Sequence, residues 1–142
     1  MRYKALLTKA LAIAVLLLAV ASCVHAAELP AQLSQPPEKL ADASLRDVAA
    51  HVALSPKEKA AMRPILIEQT KKRQDIARAR LATNPGMAGM LALRKDLRAL
   101  AAETDAKLAA VLPPEKMTQV RAYREERLKA ARARVQVARR GG

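Results

Sequence analysis

The chain has 142 residues, 26 Lys and Arg against 13 Asp and Glu, two Tyr, and no Phe or Trp. One cysteine excludes an intramolecular disulfide. The near absence of aromatic side chains leaves no platform on which nucleic-acid bases could stack, so nucleic acid is not an expected partner despite the net charge of +13.

The first element in chain order has the layout of a bacterial secretory signal. Arg2, Lys4 and Lys9 give a positive start, an apolar stretch follows to Ala21, and Val24-His25-Ala26 supplies short side chains where a signal peptidase reads. The uninterrupted apolar core, Ala10 to Ala21, is 12 residues, against the ~20 of a spanning helix. Residues 1–26 are therefore expected to be removed. Val20-Ala21-Ser22-Cys23 also has the form of a lipoprotein signal. Cutting after Ala26 leaves a soluble periplasmic protein, whereas cutting before Cys23 leaves one held on a membrane by acyl chains. Without residues 1–26, 23 basic and 13 acidic side chains leave +10 on 116 residues. The expected acidic partners of an exported protein with that charge are lipid head groups, lipopolysaccharide or acidic stretches of other envelope proteins.

Residues 27–40, with Pro30, Pro36 and Pro37, read as a flexible leader. A helical domain is expected over 41–138, because Ala, Leu, Lys, Arg and Glu dominate and almost nothing reads as strand. A short helix is predicted over Ala41–Val52. A long one begins at Ser55-Pro56-Lys57-Glu58, a capping box with Pro at the first helical position, and runs to about Ala82 with a bend at Pro64. Thr83-Asn84-Pro85-Gly86 ends it. The third helix, Met87 to Val111, shows a seam of Met90, Leu93, Leu97, Leu100, Thr104, Leu108 and Val111, and Met87 is assigned to the core beside Met90. Leu112-Pro113-Pro114 breaks it. The fourth, about Pro114 to Ala138, places Met117, Val120, Arg124, Leu128, Ala131 and Val135 on one face, and cations crowd its last turns. The seams hold no large aromatic residue. An all-α, elongated helical hairpin of about four helices follows, one that buries its thin faces by dimerising.

Two segments repeat 58 positions apart: Leu54-Ser55-Pro56-Lys57-Glu58 and Leu112-Pro113-Pro114-Glu115-Lys116. The register sets Met62 opposite Val120 and Arg63 opposite Arg121. With the export signal, Arg63-Pro64-Ile65-Leu66 and the run Thr104 to Leu112, this pattern resembles the Spy/CpxP family of periplasmic stress proteins, marked by paired Leu-Thr-x-x-Gln segments. The likeness covers about Leu54 to Leu128. Here Ser55 and Pro113 stand at the Thr positions, and Glu58 and Lys116 at the Gln positions. The resemblance implies a thin antiparallel dimer acting as an ATP-independent chaperone, or alternatively as a sensor or modulator of an envelope-stress or metal-response system.

No enzyme activity, cofactor or metal is expected: there is no glycine-rich ATP loop, and His51 reads as a solvated helix residue. The candidate client-binding residues are Lys72, Arg73, Arg121 and Arg124, taken as a basic stripe near Lys71-Lys72-Arg73. Several weak ion pairs made together would hold an acidic or unfolded segment.

Overall fold

The computed structural model describes residues 32–83 and 86–141. The signal reading of residues 1–26 and the lipidation candidate Cys23 lie outside the described residues. Within them the protein is all-α. Four helices follow in order: α1 (Pro37–Ala49), α2 (Pro56–Thr83), α3 (Met87–Val111) and α4 (Pro114–Arg140). No strand occurs among the described residues, and none of their helices is long and apolar enough to cross a membrane.

Each helix starts where local chemistry directs it. At α2, the Glu58 amide donates to Ser55 Oγ at 3.1 Å while the Ser55 amide donates to Glu58 Oε2 at 2.7 Å. These reciprocal bonds satisfy two amides that the first turn leaves open, and such a cap contributes about 1 kcal/mol. α4 starts at Pro114 with Pro113 as its cap residue, and no side chain caps it. α1 begins at Pro37 rather than at Ala41, which corrects the expected leader. A Pro-Pro pair suits a helix entry, because Pro at the first helical position brings a fixed φ and lacks only an amide that would be unpaired anyway. Residues 32–34 ahead of it are also helical. Pro64 lies inside α2 on an exposed position, so the carbonyl it cannot serve faces water.

α2 and α3 run antiparallel: Arg80 pairs with Asp96 at 2.8 Å, Lys72 with Glu103 at 2.6 Å and Lys107 with Glu68 at 2.8 Å, the numbers rising on one helix as they fall on the other. α1 lies antiparallel along α2 in the same way. Arg63 donates from Nε and Nη2 to the two Asp42 oxygens at 2.7 and 3.1 Å, and Gln74 Nε2 donates to the Gln32 and Gln35 carbonyls at 2.9 and 2.8 Å.

The core gathers at one end of the α2–α3 pair. Ala41 and Val48 of α1, Val52, Met62 and Leu66 of α2, Leu108 of α3, Leu112, and Met117, Val120 and Tyr123 of α4 form one buried cluster. Met62 and Val120, equivalent in the sequence repeat, both lie in it. Burying each Leu, Met or Val contributes on the order of 1.5–3 kcal/mol. Tyr123 fastens α4 to the end of α1: its hydroxyl donates to Asp47 Oδ2 at 2.6 Å, the His51 ring stacks on it with centroids 4.4 Å apart, and the Arg127 guanidinium sits 5.7 Å from its centroid. Burial, then the bond to Asp47, pushes the tyrosine's pKa up.

Beyond this core the buried line of α2 turns polar, through Gln69, Thr70 and Gln74 with the half-buried Arg73 among them, and Thr104 is buried on α3. Thr70 and Thr104 donate to the carbonyls one turn back, of Leu66 and Leu100, at 2.7 and 2.8 Å, a common way for a helix to accommodate a buried hydroxyl. The last described apolar contacts between α2 and α3, through Ala77, Gly89 and Leu93, lie toward their connection.

Candidate functional site

The two repeated segments meet in space. Lys116 Nζ donates to Glu58 Oε2, 58 positions away in sequence, at 2.6 Å, and Leu112 is buried with Leu54 packed against the same cluster. Lys116 first, and the Ser55 amide second, hold the Glu58 carboxyl below its ordinary pKa. Leu54, Ser55, Glu58, Leu112, Pro113 and Lys116 therefore form one structural joint, where the start of α2 meets the turn between α3 and α4.

The four candidate client-binding cations do not form one open stripe. Lys72 belongs to a ring of four charges: its Nζ lies 3.0 Å from Glu68 and 2.6 Å from Glu103, and Lys107 closes the ring at 2.8 and 3.2 Å from the same carboxylates. Two lysines and two glutamates leave this patch neutral. The lysines, Lys107 foremost, hold the Glu68 carboxyl down at about 2. Arg124 pairs with Asp105 and is largely covered. Arg121 is mostly exposed and approaches Asp105 at 3.8 Å.

Arg73 departs furthest from the expectation. It continues the inward-facing line Met62, Leu66, Gln69, Arg73, Ala77 at steps of three and four, as the period of the helix requires. Its Nε is buried with no hydrogen-bond partner among the described residues, and so is the Nε of Arg124. Burial, and then the nearby guanidinium of Arg124, pushes the Arg73 pKa down to about 10.

A different surface is open. The buried line of α3, through Gly89, Leu93, Leu100, Thr104 and Leu108, turns the opposite face to solvent. That face carries Met87, 78% exposed, and Leu91, 58% exposed. Arg94 and Arg98 continue it at steps of three and four, with Lys95 alongside. None of these three cations has an acidic partner among the described residues. Met87 is thus a surface residue and not part of the core; it lies on the α3 face opposite the buried line. Its phase, one turn before Leu91 and off the line through Leu93, is the signal that would have placed it there. Val111, the expected end of the seam, is also exposed, while Met90 and Leu97 are half-buried.

Among the described residues, no group of three or more His, Cys, Asp or Glu side chains gathers where it could hold a metal ion. No family model, curated protein or solved structure matches this chain.

Proposed function

We propose that the protein is an ATP-independent, chaperone-like binder of unfolded or stress-damaged envelope proteins, and that the outer face of α3 is where it holds them. What supports the reading is the composition of that face. Two large, flexible apolar side chains, Met87 and Leu91, project among three cations that no carboxylate among the described residues neutralises. An unfolded segment offers apolar side chains and acidic groups in no fixed order. An adaptable thioether and long cationic side chains can meet many such arrangements weakly, without a shaped pocket. The resemblance to the Spy/CpxP family, carried by the joined repeat segments, points the same way.

Suppression of aggregation of a chemically unfolded client, without ATP, is the test. Met87→Ser with Leu91→Ser should reduce suppression severalfold while helicity by circular dichroism is unchanged, since neither side chain is in the core. Full activity in that double variant would remove the α3 face from the proposal.

The same reading places the protein in the periplasm, its helices forming an elongated hairpin of which two copies pair into a thin antiparallel dimer. Native mass spectrometry of protein recovered from the envelope tests location and assembly together. A chain starting at Ala27 or at an acylated Cys23, with the mass of a dimer, agrees. An intact Met1 or a monomer mass contradicts the corresponding half.

A further inference from the structure

α4 changes character along its length. Its first half carries the buried residues Met117, Val120 and Tyr123, and no residue after Tyr123 is buried. After Glu126 the chain holds six basic residues, Arg127, Lys129, Arg132, Arg134, Arg139 and Arg140, and no acidic one. Arg132, Arg134 and Arg140 make no ion pair among the described residues, in contrast to Arg63, Arg80 and Arg124 elsewhere in the protein.

The arrangement of these charges is specific. Leu128, Ala131 and Val135, each half-buried, and the exposed Ala138 recur at steps of three and four and form a narrow, shallow apolar stripe along one side of the helix. At 100° per residue, Arg132 and Arg139 border the stripe on one side and Arg134 on the other, while Val137, 71% exposed, lies on the far side. An acidic peptide would engage the guanidiniums but leave the stripe in water. A bilayer surface meets both: phosphate oxygens accept the planar guanidinium forks, and the shallow stripe settles between head groups. We infer that the second half of α4, residues 128–140, is a docking helix for an anionic phospholipid surface. It lies along the surface with the Leu128–Val135 stripe inward and does not span it. Charge supplies most of the attraction because the stripe is thin, so binding is reversible and salt-sensitive. The inference does not depend on the chaperone reading.

The chain has no Trp, so a single introduced Trp reports on this helix alone. That matters because the apolar segment near the N-terminus could by itself bring the full chain to any bilayer. The full chain carrying Val135→Trp should show a blue-shifted emission on phosphatidylglycerol vesicles, little shift on phosphatidylcholine vesicles, and reversal in about 1 M salt, where the Debye length is only ~3 Å. Val137→Trp, on the far side, should shift much less. Adding Arg132→Gln and Arg134→Gln, the unpaired cations that border the stripe, to the Val135→Trp chain should weaken the phosphatidylglycerol response roughly thirtyfold, with helicity unchanged. Equal shifts on the two lipids, or equal shifts at positions 135 and 137, would overturn the proposal. So would a blue shift of the Val135→Trp chain with soluble polyglutamate as large as that with vesicles, which would assign the helix to acidic proteins instead.

Discussion

Leu108→Ala should destabilise the protein by roughly 2–5 kcal/mol, the usual range for emptying a fully buried leucine site. Leu108 has 0% exposure and belongs to the one cluster that draws on all four helices, together with Met62, Leu66, Met117 and Val120. The large effect follows from how little else holds the structure. Beyond this cluster the interior is thinner and mixed, with Gln69, Thr70, Gln74 and Thr104 buried alongside Ala77, Leu93 and Leu100, and most of the ion pairs are at least one-third exposed, where each contributes ~0–1 kcal/mol. A small domain has only about 5–15 kcal/mol in total. Leu97→Ala, at a half-buried position on the same helix, should cost much less. Urea unfolding followed by circular dichroism measures both. Equal losses for the two variants would mean that the four helices do not converge on the cluster around Leu108.

Arg73→Met should act in the opposite direction, stabilising the protein by about 1–3 kcal/mol. Arg73 is half-buried with its Nε fully covered, so removing the charge relieves part of a desolvation cost that can reach several kcal/mol, and a hydrophobic replacement of similar length keeps the packing of the stem. Two further details favour the gain: the Nε of Arg73 has no hydrogen bond among the described residues, and the neighbouring Arg124 is a like charge whose own counterion is Asp105. The measurement is the thermal midpoint of Arg73→Met beside the wild type. A lower midpoint would show that Arg73 has a stabilising partner. The same variant separates stability from function, because Arg73 is not on the open face of α3 and its loss should leave aggregation suppression intact.

These residues also show what could be read before the structure. Helix placement was legible because its signals are local: Ser55 and Glu58 cap one start, Pro114 opens another, and Leu112-Pro113 interrupts the chain between two amphipathic runs. The start of α1 was not, since Pro36-Pro37 serves equally in an extended leader and at a helix entry. The buried seam was legible at Leu93, Leu100, Thr104 and Leu108, where the period is unbroken. Met87 was misassigned because an apolar residue beside a seam looks like part of it until the phase is counted from Leu93. The basic stripe failed for a different reason. Lys72, Arg73, Arg121 and Arg124 are alike in sequence, yet what each charge does depends on residues far along the chain: Glu103 for Lys72, Asp105 for Arg121 and Arg124, and no described residue for the Nε of Arg73. Pairings across 16 to 31 positions arise only once the helices are laid side by side. The role of Tyr123 was illegible for the same reason, because its partners Asp47 and His51 lie far away along the chain, Asp47 by 76 positions.

The central claim is that unfolded protein is held on the outer face of α3, and site-specific photo-crosslinking tests it most directly. A photoreactive phenylalanine analogue is placed at Leu91, on that face, and in a second sample at Ala110, an exposed position near the far end of the same helix. Each is irradiated with a chemically unfolded client and with the same client folded. Crosslinks from position 91 to the unfolded client, few to the folded one and few from position 110, are the predicted result. Equal yields from both positions, or capture from position 110 alone, would contradict it.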